Sequence, residues 1–493
     1  MSSPAKSAVE RWPHQIKFIV GNEACERFSY YGMRSILAGY ITGAVLKGGL
    51  GQDADASTEI IHTFVFANYF MPLFGAWLSD KIIGRYHTIL WVSLFYCAGH
   101  GVLACSDLAG TVHGKLLMLY TGMALIAFGS GGIKPCVSAF VGDQFKPEQS
   151  HLLQKAYGAF YWAINLGSFF SFLVIPWIKD RHGYSLAFGV PGIFMAIATF
   201  IFWLGTKHYV RVPPSRETKS AGFFKVLFYA LAHRKKTGGG ALPRAEAGQQ
   251  VGPAGRPGSF WDAARGRFSE KEIDAAKSVL PILLVFALIP PFWSLFDQSN
   301  STWVLQGEKM VPTRILGLDI GAEQMQSMNP LMVMILVPLF TLGIYPRIGR
   351  FASPLRRMSC GMFLGAISFL VVALLQACLE TGAQLNVLWQ TVPYLILTTA
   401  EVLLSTTGLE FAFREAAPEM KSLVMSFWLL TIAFGDLLVV AVTKLFANAS
   451  DHAASVSTNR FLLYAGVTFG VAILFSVVAA FYNYRDEAAA RGK

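Results

Sequence analysis

Four charged side chains lie within a stretch of sequence that is otherwise typical of a transmembrane helix. Glu23, Glu26, Arg27 and Arg34 share one face of that helix with Tyr30, because of the helical period. A charged side chain that faces lipid costs about 3 kcal/mol or more at the bilayer centre. The row therefore faces the protein interior or a water-filled path. It indicates a route for protons or a substrate, the alternative being a fully paired structural cluster.

The first group of residues that could bind and release protons consists of the two glutamates, Arg27 and a lysine. Glu23 and Glu26 are three residues apart beside Arg27, and two carboxylates next to one guanidinium can share or exchange a proton. Lys134 lies in the run 131–135 (Gly-Gly-Ile-Lys-Pro), at a similar depth in another predicted span. Its movement would shift the proton balance of the carboxylates. A lone lysine could instead extend towards the membrane surface, but Lys134 is far from both ends of its span.

Arg34 and Asp297 form a second group. Each lies towards the outer end of an outward-running span, the first and the seventh, which occupy equivalent places in the two halves of the chain. Equal depth and opposite charge predict that the two side chains pair on the extracellular side. The pair is either a gate that opens and closes or a static bridge between the halves, and the sequence leaves both open.

Two further ionisable residues lie inside predicted spans. His62 is seven residues before Tyr69, so both face the same side of the second span. A histidine titrates in the range that suits proton coupling. Asp436, in the eleventh span, belongs to no recognisable motif. It is either a paired structural acid or an auxiliary proton site.

The composition indicates that bilayer-spanning helices position these groups. The chain has 493 residues, of which 54% are hydrophobic and only 14% charged, against about 25% charged in soluble domains. Apolar runs of spanning length recur along the whole chain. We predict twelve spans, at residues 15–46, 58–79, 86–106, 114–142, 154–178, 184–205, 277–303, 325–346, 356–379, 386–413, 421–446 and 459–483.

The basic residues are distributed unevenly, and their distribution predicts the topology. With both termini in the cytoplasm, 30 of the 41 Lys and Arg fall on the cytoplasmic side, 8 outside and three (Arg27, Arg34, Lys134) within spans. This is the positive-inside pattern. The net charge of +11 is thereby explained without nucleic acid, since the basic residues lie in short connections beside apolar helices.

The chain divides into two bundles and a polar break. We predict an N-terminal six-helix bundle at 1–205, a cytoplasmic linker at 206–276 and a C-terminal six-helix bundle at 277–493. Within the linker, apolar residues 223–231 predict a short amphipathic helix at the membrane interface. Ser269 with Glu272 is a capping-box pattern. All six cysteines lie in predicted spans without metal-ligand spacing, so we expect no disulfide framework, no metal and no cofactor. The N-terminus lacks the apolar region of a signal peptide.

The halves carry matching tripeptides. Ile-Gly-Arg occurs at 83–85 after the second span and at 348–350 after the eighth, as expected of internal repeats in a transporter. Around the first copy, Gly75, Asp80, Gly84 and Arg85 resemble the loop signature of the major facilitator superfamily. Its glycine allows close contact between helices, and its Asp and Arg can join the cytoplasmic ends of helices. We interpret this signature as conformational.

The motifs together resemble one family. Residues 23–32 match the ExxERFxYYG motif of the proton-dependent oligopeptide transporters, the POT or peptide transporter family. The resemblance extends in chain order through nearly all predicted spans, at residues 129–135, 140, 143–145, 160–168, 292–306, 329–330 and 401–411. It implies an all-α major facilitator fold.

The family resemblance also implies roles for individual residues. It assigns Arg34, Lys134 and Asn165 to the carboxylate end of a bound peptide, and Glu401 with Asn329 to its amino end. It implies proton coupling by the Glu23–Glu26–Arg27 group with Lys134, and by His62 as in animal members. The Arg34–Asp297 pair would close the outer gate. Aromatic walls would be supplied by Tyr30, Tyr31, Tyr69, Trp293 and Trp428, each of which could equally be a packing residue.

These inferences predict a proton-coupled symporter that imports di- and tripeptides by rocker-switch alternating access. Its partners would be peptides, protons and the lipid bilayer, with no nucleic acid, and it would work as a monomer. The short tails and the short 380–386 connection indicate a bacterial cytoplasmic membrane. The nearest alternative is the same fold carrying nitrate or a peptide-like drug, although Glu401 would repel an anion. A membrane-embedded enzyme is less consistent, since no nucleophile–base or metal-ligand group occurs. A channel is less consistent as well, since paired gate charges on repeat-related helices suit alternating access better than an open pore.

Overall fold

A computed structural model describes residues 12–214, 222–233, 260–349 without 266, 353–447 and 454–484 without 483. The central part of the predicted linker, at 234–259, lies outside the described residues, as does Arg350 of the second Ile-Gly-Arg repeat. We call the ends of the helices beside the 43–53 connection the outer ends, following the charge distribution, and the opposite ends the inner ends.

The first half of the chain folds into six long helices that run in alternating directions. They are α1 (Ile16–Ser35, continued by Leu37–Thr42), α2 (Ala54–Leu78), α3 (Arg85–Ala104), α4 (Val112–Asp143), α5 (Ser150–His182) and α6 (Tyr184–Leu204). Short helical turns lie in the connections at Val45–Lys47, Ser106–Ala109 and Pro147–Gln149, and another follows α6 at Gly205–Lys207.

The second half repeats this arrangement with more interruptions. Its helices are α7 (Glu270–Phe286, continued by Pro290–Phe296, Asp297–Asn300 and Thr302–Gly307), α8 (Met328–Pro338, after Gln324–Ser327 and before Tyr345–Ile348), α9 (Pro354–Glu380), α10 (Thr391–Glu401, after Val387–Gln390 and continued by Thr407–Glu415), α11 (Lys421–Leu445, after Pro418–Met420) and α12 (Thr458–Phe481). A hairpin of β1 (Thr313–Ile315) and β2 (Leu318–Ile320) follows α7, with Leu316 and Gly317 at positive φ in its turn.

The predicted twelve-helix fold is confirmed, although α1 and α7 depart from ordinary spans. Among the described residues, ten helices are long and apolar enough to cross a membrane, and the two bent parts of α7 add an eleventh. Helix α1 completes the twelve: it is long enough to span a membrane but is less apolar than the other helices, because it carries the charged row. The seventh span was predicted as one helix at 277–303. It is bent by 46° at Pro290 instead, since consecutive prolines there remove two backbone donors.

Local sequence explains where several helices begin. The Asp53 side chain accepts a hydrogen bond from the backbone N–H of Ala56 at 2.7 Å and starts α2. The predicted capping box is confirmed: the Ser269 hydroxyl accepts from the Glu272 N–H at 3.3 Å, and the Glu272 carboxylate accepts from the Ser269 N–H at 3.0 Å. These caps place the ends of α2 and α7, and so fix which residues reach the middle of the bundle.

Gly75 lets α2 and α4 approach each other closely. A Cβ at Gly75 would lie 2.1 Å from the backbone oxygen of Gly132, so the predicted role of this glycine is confirmed.

We expect Gly75→Ala to lower the thermal unfolding midpoint in detergent, because overpacking costs about 1–3 kcal/mol. Gly101→Ala on α3 is the matched control, since a Cβ there would meet no atom of the described residues within 4 Å. Equal midpoints for the two variants would contradict the close-contact argument.

The two repeats share an unusual inner end. A π-helical turn closes α2 at Ser79–Ile83 and another closes α8 at Leu339–Ile344. The first is followed directly by Gly84, at a φ of 80°, and the second is followed by the helical turn Tyr345–Ile348 and then by Gly349, at a φ of 52°. Both are the glycines of the Ile-Gly-Arg copies. After the first copy, Arg85 donates from Nη1 to both carboxylate oxygens of Asp143 at 2.7 and 2.8 Å, and so joins the inner ends of α3 and α4.

The predicted amphipathic segment forms a helix at Phe223–Ala232. Phe223, Val226 and Ala230 are buried against the turn at Phe260–Ala264 and the second half. Phe224 and Phe228 point away and are exposed. An apolar exposed face beside transmembrane helices is typical of an element that lies in the membrane interface.

Candidate functional site

A cavity of about 200 Å³ lies between the two halves, near the middle of the helices. It is smaller than the ~300–1,000 Å³ of sites that hold drug-sized ligands. Eight of the predicted site residues line it, namely Tyr31, Arg34, Tyr69, Asn165, Trp293, Asp297, Asn329 and Glu401. They come from α1, α2, α5, α7, α8 and α10, so only the docking of both halves completes the cavity.

The outer end of the cavity is closed by an ion pair between the halves. Arg34 donates from Nη2 to Oδ1 of Asp297 at 2.6 Å, and both side chains are 3% exposed. The predicted pairing is therefore present, whereas its role as a gate stays a prediction. Beside it, the Gln326 amide donates to the backbone oxygen of Ser35 at 3.0 Å.

Other polar contacts join the outer ends of the halves around this pair. Lys179 of α5 lies 2.6 Å from the Glu323 carboxylate, directly before α8. On α2, Glu59 pairs with Lys444 of α11 at 2.9 Å. Both contacts lie on the outer side, as the Arg34–Asp297 pair does. The structure is therefore closed at its outer end.

The second half contributes an acid to the cavity wall. Asn329 of α8 donates from Nδ2 to Oε2 of Glu401 at 2.7 Å and is 3.2 Å from the Thr398 hydroxyl. Glu401 ends the regular part of α10, and the π-helical turn Val402–Thr406 follows it. Such turns are frequent at functional sites because they redirect the side chains beside them. The Glu401 carboxylate is held in place but faces the cavity.

Lys134 lies behind the cavity wall, against aromatic rings. Its Nζ is 3.9 Å from the centre of the Tyr69 ring and 5.6 Å from that of Tyr30, distances at which a cation is attracted to a ring face. Within the described part of the chain, no carboxylate is within 4 Å of this ammonium. Because Tyr69 lines the cavity, Lys134 is separated from it by one ring.

The charged row on α1 forms a buried cluster. Arg27 lies 3.1 Å from Glu23 and also pairs with Glu26, while Oε1 of Glu26 has no hydrogen-bond partner among the described residues. Tyr30, on the same face, accepts a hydrogen bond from the Asn68 amide at 3.1 Å and does not line the cavity. The row faces the protein interior, as predicted.

His62 lies at the contact between α2 and α11, away from the cavity lining. Its Nδ1 is 2.7 Å from Oδ1 of Asp436, and its Nε2 is 2.9 Å from the Ser301 hydroxyl. The sequence singled out His62 and Asp436 separately but did not predict that they pair. The signal that predicted the Arg34–Asp297 pair was missing here, because the second and the eleventh spans do not occupy equivalent places in the two halves.

Some cavity residues were missed and one predicted residue lies elsewhere. Tyr161, Phe172, Asn300 and Tyr394 also line the cavity, and only Tyr161 and Asn300 stand inside quoted motifs. Trp428 is 2% exposed and is absent from the lining. It packs against the Trp293 ring at 6.2 Å, so it supports a wall rather than forming one.

Comparison with solved structures extends over almost the whole chain. An auto-inhibited POT family peptide transporter has a TM-score of 0.83 and 37% identity, covering 96% of this chain and 98% of that one. The POT family transporter PepTSo has a TM-score of 0.82 and 35% identity, covering 95% and 98%. The fold of this chain is thus that of solved POT family transporters.

Curated relatives are longer animal proteins. Solute carrier family 15 member 2 of Rattus norvegicus is 37% identical over 387 residues, which is 76% of this chain and 50% of that protein. Peptide transporter 3 of Caenorhabditis elegans is 36% identical over 378 residues, 74% and 51% respectively. The chain spans about half the length of the curated relatives it matches. A model described as the POT family matches residues 86–459, and the chain therefore belongs to the POT family.

Proposed function

We propose that the chain is a proton-coupled symporter that imports di- and tripeptides by alternating access. The observation that carries the proposal is the opposite charge on the two cavity walls, with Arg34 from the first half and Glu401 from the second. A short peptide has a carboxylate at one end and an ammonium at the other. Charge-assisted hydrogen bonds to both ends would bind short peptides whatever their side chains, and the distance between the two charged walls would select peptide length.

The cavity lining supports a division of roles. Arg34 and Asn165 would bind the peptide carboxylate, with Lys134 joining them from behind Tyr69. Glu401, held by Asn329, would accept the ammonium. The rings of Tyr31, Tyr69 and Trp293 would pack against variable side chains, and Tyr30 and Trp428 would hold those rings from behind.

The charged clusters outside the cavity support proton coupling. Glu23, Glu26 and Arg27 lie on the same helix as Arg34, and Lys134 lies against the Tyr69 ring. In the proposed mechanism, Lys134 would move between that cluster and the cavity side of Tyr69. His62 would respond to protons on the outer side. In the rocker-switch scheme, proton and peptide binding weaken the Arg34–Asp297 pair, and the two bundles reorient around the cavity.

Two alternatives differ in the charge of the substrate. Nitrate would meet Arg34 but would be repelled by an ionised Glu401 at the opposite wall. Peptide-like drugs that carry both an amine and an acid share the recognition chemistry of peptides. Transport of such drugs would extend the proposal rather than replace it.

We place the protein in the cytoplasmic membrane of a bacterium, with both termini inside. The positive-inside distribution supports this orientation. The division into bundles at 1–205 and 277–493, joined by a linker, is part of the same proposal. Function as a monomer is part of this proposal as well.

The test is uptake of labelled dialanine into proteoliposomes under an inward proton gradient. We expect accumulation that collapses with a protonophore and is blocked by an unlabelled tripeptide. No accumulation in tight, correctly oriented vesicles would contradict the proposal, and uptake of labelled nitrate by the same vesicles would support the alternative. An ion current without any substrate gradient would favour a channel.

Glu401→Gln is expected to weaken binding of dialanine about 10- to 100-fold. A hydrogen bond to a charged group contributes about 1.5–3 kcal/mol, and the glutamine keeps the size of the side chain and its contact with Asn329. N-acetyl-dialanine, which lacks the ammonium, serves as the control ligand and should lose little affinity. Competition against labelled peptide measures both. Equal losses for the two ligands would show that Glu401 does not recognise the amino end.

A further inference from the structure

The indole N–H of Trp293 is bound by a residue that does not line the cavity. Trp293 lies on the first continuation of α7 (Pro290–Phe296) and forms part of the cavity wall. Its Nε1 donates a hydrogen bond to Oγ1 of Thr431 on α11 at 3.1 Å, and both residues are 4% exposed. Thr431 is absent from the cavity lining. Any effect of its hydroxyl on a bound peptide would therefore pass through the indole.

The hydroxyl of Thr431 is oriented as an acceptor for this indole. It donates its own hydrogen to the backbone oxygen of Trp428, about one turn earlier on α11, at 2.7 Å. A hydroxyl has one hydrogen to donate and oxygen lone pairs that accept. Because the hydrogen is already bound, the oxygen can only accept from the N–H of Trp293.

Packing from α10 and α11 holds the indole in the same position. A Cβ at Gly435, about one turn after Thr431, would lie 2.6 Å from Cβ of Trp293, so α11 approaches closely here. The Trp428 ring meets the Trp293 ring edge-on, with 6.2 Å between ring centres. Trp428 lies over Gly408 of α10, where a Cβ would be 2.1 Å from its ring. These contacts and the hydrogen bond together favour one orientation of the indole.

This orientation decides the chemistry of the cavity wall. The N–H is the only polar group of an indole, and here it is bound to Thr431. The part of Trp293 that lines the cavity therefore presents carbon atoms. Phe296, on the same short helix, also lines the cavity and meets the Trp293 ring edge-on at 5.5 Å. The two rings form an apolar surface against which an apolar or aromatic side chain can pack.

We propose that Thr431 is a positioning residue that sets the side-chain selectivity of the cavity. By binding the Trp293 N–H, it keeps a hydrogen-bond donor out of the cavity and so favours peptides with apolar side chains over polar ones of the same size. Without this acceptor, the N–H is a buried donor that lacks a partner, which costs free energy and favours its turning towards the cavity. This inference rests on the proposed function and deepens it, since it concerns which peptides bind.

The test compares dipeptides that differ by a methyl group against a hydroxyl group. Binding of alanyl-valine and alanyl-threonine, and of valyl-alanine and threonyl-alanine, is measured by competition against labelled dialanine. We expect the wild-type protein to prefer the valine peptide in at least one of the two positions. Thr431→Val removes the acceptor at nearly constant size and is expected to lower that preference about 3- to 10-fold, the effect of one hydrogen bond. Thr431→Ser keeps the hydroxyl and should retain the preference.

A second readout follows the hydrogen bond itself, without any peptide. Hydrogen exchange of the indole N–H groups is measured by NMR in protein with isotope-labelled tryptophan, and the signal that is lost in Trp293→Phe identifies Trp293. We expect exchange of this N–H to be about tenfold faster in Thr431→Val than in the wild type or in Thr431→Ser.

Thr399→Val is the matched control for both readouts. The Thr399 hydroxyl donates to the backbone oxygen of Leu395 on its own helix at 2.8 Å, as Thr431 does to Trp428. Within the part of the chain that the structure describes, Thr399 accepts no indole N–H, and it is absent from the cavity lining. We expect neither the peptide preference nor the exchange of the Trp293 N–H to change. If Thr431→Val does not fold, Thr431→Cys provides the second variant, because a thiol is a much weaker acceptor.

Three results would overturn the proposal. The first is an unchanged preference between the valine and threonine peptides in Thr431→Val, and the second is unchanged exchange of the Trp293 N–H. The third is an equal loss of preference when Thr431→Val is added to Trp293→Phe, since Thr431 should have no effect once the indole is gone. Wild-type protein that binds no dipeptide would contradict the proposed function, whereas binding with an unchanged preference would contradict only this inference, so the two failures are distinguishable.

Discussion

Arg34→Asp is expected to lower proton-driven dipeptide uptake about 100-fold or more. Breaking a buried pair by changing one partner costs about 3–5 kcal/mol, because the remaining charge is uncompensated. The pair is 2.6 Å long and almost completely buried, and the variant places two carboxylates in contact. Asp297→Arg should fail for the same reason. Uptake into proteoliposomes measures both variants.

The reversed pair, with Arg34→Asp and Asp297→Arg in one chain, separates gating from substrate binding. We expect it to restore outer closure, measured by the distance between the outer ends of α2 and α11, but to leave the affinity for the peptide carboxylate low. The matched control reverses Glu59 and Lys444, an exposed pair that also joins the halves. An exposed ion pair contributes only about 0–1 kcal/mol to stability. If closure is not restored by the swap, the gate assignment is wrong. Full restoration of affinity would mean that Arg34 does not bind the carboxylate.

Glu26→Gln is expected to abolish accumulation driven by a proton gradient while leaving peptide exchange between the two sides measurable. Glu26 is 1% exposed, pairs with Arg27 and has an oxygen without a hydrogen-bond partner in the described part of the chain. Glutamine keeps the size of this side chain but lacks the ionisable carboxyl group that the proposed coupling uses. Exchange requires only that the loaded carrier reorients. The measurement is the ratio of dialanine counterflow to gradient-driven dialanine uptake in the same vesicles, and this ratio should rise in the variant.

Lys134→Ala tests the role of the lysine in the same coupling of proton and peptide transport. It removes the cation over the Tyr69 ring, and we expect gradient-driven uptake to fall about as far as in Glu26→Gln. Lys134→Ala should also weaken binding of the peptide carboxylate, whereas Glu26→Gln should not. Unfolding midpoints in detergent provide the control for misfolding. Wild-type accumulation in both variants would contradict the coupling assignment.

The sequence contains most of the fold because the signals for membrane helices are local. Apolar length predicts each span, and basic residues in the connections predict orientation. The charged face of α1 was recognisable because a charge cannot face lipid at low cost. Equal depth in two repeats was enough to predict the Arg34–Asp297 contact. The bend of α7 at Pro290 and the π-helical turn after Glu401 were not predicted, since both depend on how neighbouring helices accommodate freed backbone groups.

What the sequence determined by itself was therefore the number and order of the spans, the charged row on α1, the pairing of Arg34 with Asp297 and the family. Only the tertiary structure placed Lys134 against Tyr69, moved Trp428 behind the cavity wall and joined His62 to Asp436, 374 positions away. The physical reason is that helical periodicity defines the face of a residue within its own helix. The partner on another helix depends on how deeply and at what angle two bundles dock, and that is decided by packing along their whole length.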